Sequence, residues 1–350
     1  MDQTDIGTRV PGISFVIVTY NSLETIRECL ASVFAQETRP LEVIVVDNAS
    51  ADATPDFVGA QFPDAVVIRN DYNAGFGVAN NTAARIARGE IVAMVNPDAS
   101  LDPRWSTEIT RVIENSPKCA AAEGKLLLAD RPEFINCAGS SINLLGFGCM
   151  NHYGEPATTA TEERVVGYAS GAAFAIKRQI FLSVDGFDQS YFLYHDDVDL
   201  GLRVREAGWQ INYAPRAIAY HHYKPELHAS KVRYLERNRW KTLAKHMPPR
   251  YFLLCGPLLA ISELGMTYEL ASLGLLDSKA AAILEFLREL PRTISARGHV
   301  RSTLGAREAP MELLTDEFPL LVPQTGRATL IGRRLLRGYH RAFLGGKANC

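Results

Sequence analysis

The chain has few cysteines for its 350 residues, and they are scattered. Cys29, Cys119, Cys137, Cys149, Cys255 and Cys350 contain no Cys-x-x-Cys pair and no short Cys/His spacing, which argues against structural zinc and for free thiols in a reducing compartment. Neither sign of charge is in large excess, and a formal net charge of −2 gives no overall basic signature for nucleic acid. Met1 to Pro11 is polar, carries Asp2 and Asp5, and lacks the basic-then-apolar layout of a secretion signal. Residues 1–12 therefore read as a flexible tail and the catalytic region as cytoplasmic. Long uninterrupted apolar runs are missing too. The most apolar stretch, Tyr251 to Leu276, is broken by Pro257, Glu263 and Glu269, and its charge-free part, Tyr251 to Ser262, is too short to span a bilayer.

With 47% apolar content the chain can still bury a large core, and its length suggests roughly two domains. Short runs rich in valine and isoleucine alternate with helix-period segments, the order of an α/β domain with a mostly parallel sheet. Strands are predicted over Ser14 to Thr19, Leu41 to Asp47, Ala65 to Arg69 and Glu90 to Val95. Helices are predicted near Ser22 to Ala35, from Thr54-Pro55, over Gly77 to Arg88 and from Pro103. In open sheets of this kind ligands sit outside the carboxyl ends of the strands. Thr19-Tyr20-Asn21, Asp47-Asn48-Ala49-Ser50, Asn70 to Gly77 and Asn96-Pro97-Asp98 fall at such ends, so four polar loops converge on one edge.

Taken singly, these residues have ordinary roles open to them. Asp47 can start an Asx-turn, Gly75 and Gly77 can serve as turn glycines, and Asp98 can cap a helix. The Gly-Phe-Gly triplet lacks a third glycine and follows the third strand, so it is weak evidence for a nicotinamide cofactor. Those roles leave the clustering unexplained. Farther along, Asp196, Asp197 and Asp199 crowd the start of an amphipathic stretch, where carboxylates repel unless a metal ion, another cation or a shared proton is present. The plain alternative for Asp196 and Asp197 is favourable charge at a helix N-terminus. Asp199 stands four residues before Arg203 and is expected to pair with it.

In order, Val18-Thr19-Tyr20-Asn21-Ser22, Val45-Val46-Asp47-Asn48-Ala49-Ser50-Ala51-Asp52, Asn73-Ala74-Gly75-Phe76-Gly77-Val78-Ala79-Asn80, Asn96-Pro97-Asp98, Gly186-Phe187-Asp188 and Asp196-Asp197-Val198-Asp199-Leu200 resemble the motifs of family 2 glycosyltransferases. The likeness spans about residues 13 to 245 and is greatest to the rhamnosyltransferase-like bacterial branch. It implies an A-type glycosyltransferase fold, a Rossmann-like, mostly parallel sheet flanked by helices, over 13–247, with a mostly helical extension over 248–350. It implies inverting transfer from a nucleoside diphosphate sugar to a glycan or lipid-linked sugar.

By the same resemblance, Asp47 would accept N3–H of a uracil or thymine ring, Thr19, Tyr20, Asn21 and Asn48 would frame base and ribose, and Arg69, Asn73 and Gly75 would lie along ribose and diphosphate. Asp98 corresponds to the metal-binding acid. Asn96 stands where many members have a second acid, a departure shared by much of the branch. One carboxylate with diphosphate oxygens and water suits Mg2+ or Mn2+. His221 or His222 offers a further ligand, His221 being favoured. Asp197 aligns with the general base of the family's Glu-Asp-x-Asp motif, Asp196 stands where glutamate is commoner, and Ser170 to Phe174 resembles the small-residue segment of the acceptor side. Residues 131 to 165 are expected to form an excursion near donor or acceptor. Tyr194 and Trp209 can stack on sugars or be buried, and Arg237 can meet diphosphate or solvate a helix.

In the extension, Gln324 to Cys350 is basic, with Ile331, Leu335 and Tyr339 opposite Arg333, Arg337 and Arg341 on one helix. Such a helix can dock peripherally on the inner face of the cell membrane or pack on its own domain. The sequence thus points to an inverting, metal-dependent transferase for cell-surface polysaccharide, with rhamnose the leading donor sugar. The competing readings are a nucleotidyltransferase, for which Tyr20 to Arg27 lacks the glycine-rich basic loop, and a non-catalytic nucleotide-sugar-binding protein, against which the retained Asp197 speaks.

Overall fold

The computed structural model describes residues 12–304, 311, 314–317 and 327–343; the expected tail at residues 1–11 lies outside them. Strand β1 (Ile13–Thr19) is apolar on both faces and buried along nearly its whole length, as a central strand covered by helices on both sides must be. Its alternate residues feed two cores. Ile13, Phe15 and Ile17 pack into one, and Val16 into the other. Helix α1 (Ile26–Phe34) buries Ile26, Cys29, Leu30 and Val33, the spacing of a single helical stripe. It leads to β2 (Glu42–Asp47), then α2 (Thr54–Gln61), β3 (Ala65–Arg69), α3 (Phe76–Ile86) and β4 (Ile91–Val95). Strand β1 pairs in parallel with both β2 and β4, and β2 with β3. Strand order reverses at β1, which opens a crevice at the carboxyl ends of β1 and β4.

After β5 (Ala99–Leu101), α4 (Trp105–Glu114) and β6 (Cys119–Leu128), the expected excursion forms β7 (Arg131–Cys137), β8 (Ser140–Asn143), β9 (Gly148–Met150) and β10 (Arg164–Val165). Then come β11 (Ala173–Lys177), α5 (Arg178–Ser183), α6 (Asp196–Glu206) and β12 (Gln210–His221). The large sheet runs β10-β12-β6-β11-β4-β1-β2-β3. The end formed by β4-β1-β2-β3 is parallel. Beyond β4 it is mixed, since β11 runs antiparallel to β4 and β6 while β12 runs parallel to β6.

Two helices start later than their sequence pattern suggests, for local reasons. Residues 22–25 form a turn in which the Thr25 amide donates to the Ser22 carbonyl, 3.1 Å, and the Ser22 amide is drawn to Thr54 Oγ1, 2.9 Å. Before α4, the Arg104 amide donates to Asp102 Oδ1, 3.0 Å, so an Asx-turn occupies the first positions.

The extension consists of α7 (Ala229–His246), α8 (Pro249–Ser272), α9 (Leu276–Leu304), β13 (Leu314–Thr315) and α10 (Arg327–Phe343), α7 itself lying before the expected boundary. It shares a third core with the excursion, in which Leu144 and Phe147 meet Tyr251, Leu258 and Leu336. Strand β13 adds in parallel to β8. Helix α10 packs on its own protein through Leu336 and Tyr339, and His340 Nε2 lies 2.9 Å from the Leu314 carbonyl. The apolar row expected on this helix is therefore divided: Leu335 faces outward and Tyr339 inward, and the Ile331 side chain lies outside the described residues. The five described cysteines are free and buried.

Candidate active site

Two adjoining cavities occupy the crevice, and Phe76, Asn96 and Leu193 line both. The first, of 410 Å³, is walled by Thr19, Tyr20, Asn21, Asn48, Asn73, Gly75, Asn96 and Asp98. These are residues from all four loops read from the sequence. Its wall is cross-braced. Asn21 Oδ1 accepts the Ala51 amide, 2.7 Å, and Asn48 Nδ2 donates to the Gly75 carbonyl, 3.2 Å.

Two expected donor residues do not line this cavity. Asp47 is buried, with Thr19 Oγ1 (2.8 Å) and Ser50 Oγ (2.6 Å) donating to one oxygen and the Ser50 amide (2.9 Å) to the other. Its carboxylate ties the ends of β1 and β2 together and does not present itself to a base. Arg69 turns outward to pair with Asp56 of α2, 2.7 Å, because that acid lies within reach across the neighbouring strand end.

Asp98, in the wall of the first cavity, and His221, in the wall of the second, are brought together where the cavities adjoin, His221 Nε2 lying 3.5 Å from Asp98 Oδ1. That oxygen is buried and, apart from the long 3.5 Å approach of His221, has no hydrogen-bond partner among the described residues. Burial pushes the Asp98 carboxyl up, but the His221 hydrogen bond and charge outweigh it, holding the group below the usual carboxylate range. His221 Nδ1 faces Asn136 Oδ1 at 3.0 Å. A neutral ring that donates Nδ1–H there would present the Nε2 lone pair beside the Asp98 carboxylate, the outer-shell arrangement of a metal-binding histidine, whereas a protonated ring faces the same oxygen as a donor. His222 instead turns toward Glu28, 3.2 Å, and Asp130, 3.5 Å. No group of three or more histidine, cysteine or carboxylate side chains suited to a metal occurs among the described residues. The donors that do meet fit an ion that takes its other ligands from phosphate and water.

The second cavity, of 310 Å³, is lined by Asp196 and Asp197 opposite Ser170-Gly171-Ala172, with Phe147, Met150, Tyr168 and Tyr194 around them. Asp197 Oδ2 accepts the Gly171 amide, 3.1 Å, and Oδ1 accepts the Val198 amide, 2.8 Å. Asp196 Oδ2 is buried without a partner among the described residues. Burial, reinforced by the charge of Asp197, pushes Asp196 up to about 8, and burial also raises Asp197. Asp196, raised to about 8, keeps its proton at neutral pH, and Asp197, whose oxygens accept two backbone amides, is the one left to act as a carboxylate. Asp199 differs. Although burial opposes its ionisation, Lys245 (2.7 Å), Arg203 (2.8 Å) and His246 (2.9 Å) hold it well below the usual range, in the supporting role its spacing implied. Trp209 packs against the core.

The acids enter α6 from a strained loop. Phe192, Tyr194 and His195 have φ of 66, 65 and 64°, left-handed values that cost energy in side-chain-bearing residues. Helix α7 holds this loop. Asn238 Nδ2 lies 2.8 to 3.0 Å from the carbonyls of Tyr191, Leu193 and Tyr194, and Arg237 donates to the Tyr191 carbonyl, 2.8 Å. Arg237 is thus buried as a brace and neither meets the donor cavity nor solvates a helix. Gly75 completes the support. Its φ is +85°, the Phe76 amide donates to the Phe192 carbonyl at 2.9 Å, and a Cβ on Gly75 would lie 2.7 Å from that oxygen.

Sequence reasoning missed Asn136, Asn238 and Glu123. Buried Glu123, pushed up to about 7 by burial, accepts from Ser140 Oγ, 2.8 Å, and from the Ser170 amide, 3.0 Å, and so supports the segment facing Asp197. Its signal was a lone acid in the small apolar strand Ala120-Ala121-Ala122-Glu123-Gly124.

Residues 14–183 match the family model described as glycosyl transferase family 2. An N-acetylglucosaminyl-diphospho-decaprenol L-rhamnosyltransferase of Mycobacterium tuberculosis is 31% identical over 230 residues, 59% of this chain and 75% of that protein. The chain is a family 2 glycosyltransferase of the rhamnosyltransferase-like branch. This transferase is also similar to the succinoglycan biosynthesis protein ExoO of Rhizobium meliloti, 33% identical over 175 residues, 49% of this chain and 48% of that one. A mannosyltransferase of Pyrobaculum calidifontis, solved with GDP-Man and Mn2+, superposes with TM-score 0.51 at 19% identity, covering 85% of this chain and 86% of its own. GalNAc-T7, solved with UDP, GalNAc and Mn2+, gives 0.56 at 15%, covering 83% and 58%. At these identities the likeness concerns the fold, which is the A-type glycosyltransferase fold with a helical C-terminal extension.

Proposed function

We propose that the transferase moves a sugar, with inversion, from a uridine or deoxythymidine diphosphate donor to a lipid-linked acceptor sugar in cell-envelope polysaccharide synthesis. Rhamnose is the leading donor sugar, because the relative with 75% of its length covered is a rhamnosyltransferase whose name specifies a prenyl diphosphate acceptor. The observation that carries the reading is the meeting, where the two cavities adjoin at Asn96, of a buried Asp98 oxygen 3.5 Å from a His221 ring nitrogen with the carboxyls of Asp196 and Asp197 that line the second cavity.

Base and ribose would lie against Tyr20, Asn21 and Asn48, with the diphosphate toward Asn73, Gly75 and Asp98. A divalent cation, Mg2+ or Mn2+, held by Asp98 and His221, would supply charge neutralisation to the departing diphosphate. On the acceptor side Asp197 takes the proton of the attacking hydroxyl. The new bond from the acceptor oxygen to the anomeric carbon forms as the bond to the diphosphate oxygen breaks on the opposite face, hence inversion. The proton ends on Asp197 and the electron pair on the diphosphate. Ser170 and Gly171 leave room for the acceptor sugar, while Tyr168, Tyr194 and Phe147 offer it apolar faces.

Incubating the protein with a panel of nucleotide sugars, a prenyl diphosphate N-acetylglucosamine acceptor and Mn2+ or Mg2+ tests the reading. The expected result is release of one nucleoside diphosphate, abolished by chelator. Turnover of none of the uridine or deoxythymidine diphosphate sugars, or turnover indifferent to chelator, contradicts it.

A further inference from the structure

The outer surface of the C-terminal helices is apolar where a water-facing helix carries charge. On α8, Leu253, Ile261, Leu264 and Tyr268 point outward, and Leu253, Leu264 and Tyr268 are 81%, 75% and 77% exposed. The acid Glu263 of the same helix turns inward to Lys279, 2.8 Å, and to Arg239. Helix α9 repeats the inversion. Leu276, Leu284, Leu287 and Ile294 are exposed, whereas Lys279 reaches Glu236 of α7 at 3.0 Å, Glu289 meets Lys241 at 2.8 Å, and Glu285 pairs with Arg233. An amphipathic helix on a soluble domain has the opposite polarity. Two successive helices with charge inside and leucine outside are built for a non-aqueous neighbour.

Several observations favour a lipid bilayer over protein as that neighbour. On α9, at roughly 100° per residue, Arg288 and Arg292 fall along one edge of the exposed leucine face and are themselves exposed, a mainly cationic rim whose one acid, Asp277, stands at the helix start. That is the layout of a helix lying among anionic headgroups. Helix α8 is long and apolar enough to cross a membrane by composition. Yet Tyr251 near its start and Leu270 near its end are both buried against the protein, so it lies along the domain and offers lipid a single face. Finally, a small cleft lined by Met266, Leu270, Leu273, Leu227 and Leu235, with Glu236 and Glu269 among them, shares Leu227 and Leu235 with the acceptor cavity. The acceptor cavity therefore has α8 as a neighbour across Leu227 and Leu235.

We propose that the outer face of α8 and α9 docks the enzyme on an anionic bilayer surface, the helices lying in the headgroup layer, and that α10 is not the docking element. This rests on the helices alone and holds whichever donor sugar is used.

The test is flotation of the full-length protein with vesicles of phosphatidylglycerol and phosphatidylethanolamine, or of phosphatidylcholine alone, with donor hydrolysis followed in parallel. Wild type is expected to float with the anionic vesicles. L264E/Y268E should lose about tenfold or more of its vesicle partitioning, since two large apolar side chains leave the interface. R288Q/R292Q should lose the preference for phosphatidylglycerol, and L335E on α10 should bind as wild type does. Donor hydrolysis should stay unchanged throughout, which separates failure of docking from failure of the functional reading. Should the double glutamate variant melt early, L264S/L284S carries the same expectation. Undiminished flotation of the α8 variant would overturn the proposal. So would a wild type that ignores vesicles and sediments as a dimer that L264E/Y268E dissociates, because the face would then belong to a second copy.

Discussion

Replacing Gly75 by alanine probes how the two cavities are held in register. Gly75 has φ +85° and ψ 170°, a region reserved in practice for glycine, and occupying it with a side chain costs about 1–3 kcal/mol. The new Cβ would also stand 2.7 Å from the Phe192 carbonyl oxygen and 2.8 Å from Phe192 Cδ2. The first of these is a backbone atom, so one of the two loops must move. The α3 side is anchored by Asn48 Nδ2 on the Gly75 carbonyl and Asn80 Nδ2 on the Phe76 carbonyl, 2.9 Å. The Phe192 side is already strained, and it should yield. Phe192 lies just before the acid pair, so Asp197 moves with it. A displacement approaching 1 Å at a reacting group costs on the order of 10²-fold in rate. Steady-state transfer kinetics with calorimetry of the free nucleoside diphosphate give the comparison: kcat should fall by about that factor, with nucleotide affinity little changed. Wild-type kcat in Gly75→Ala would refute the coupling. A loss of affinity as large as the loss of kcat would show that the wrong loop had been chosen as the yielding one.

Asp197→Asn should lower transfer by about 10²–10⁴-fold with donor affinity intact; turnover near wild type removes the base assignment. Asp98→Ala should make donor affinity insensitive to chelator, and calorimetry in which wild type already shows no chelator effect would exclude the metal role. Asp196, raised to about 8 when folded, stays protonated where the unfolded chain has already lost its proton, so its stability contribution is intact below about pH 4 and is lost as pH rises through about 8. The stability of Asp196→Asn relative to wild type should therefore grow by up to about 1.4 kcal/mol per pH unit across that window and then level off. Chemical denaturation at several pH values that finds a constant difference would contradict the raised carboxyl.

The strands and the four convergent loops were legible because valine-rich, two-sided burial leaves few ways to arrange β1, β2 and β4, and polar residues at their carboxyl ends have one edge to occupy. The Asp199–Arg203 pair followed from helical spacing alone. What could not be read depends on contacts between segments far apart in the chain. Asp47 lies where expected, yet its oxygens are taken by Thr19 and Ser50. Arg69 was lost to Asp56. Asn136 and Asn238 act through carbonyl and imidazole partners distant in sequence, which no local pattern announces. The apolar character of α8 was legible, but the polarity of α9 was missed because its charged residues are plentiful enough to pass for a solvated face. Only the ion pairs with α7 reveal that the charge points inward.

The short ladder between β13 and β8 bears on the order in which this protein becomes competent as it is made. Asn143 Nδ2 donates to the Glu317 carbonyl at 3.0 Å, a contact between residues 174 apart, and β9 beside it forms part of the acceptor wall. The nucleotide end is lined by residues no later than Lys224 and is braced no later than α7, whose Asn238 Nδ2 donates to the Leu193 carbonyl, 2.9 Å. At about 5–20 residues per second, synthesis from that point to β13 takes several seconds. In that interval the chain already holds every residue that lines the first cavity, whereas the wall of the second still lacks the strand that clamps it.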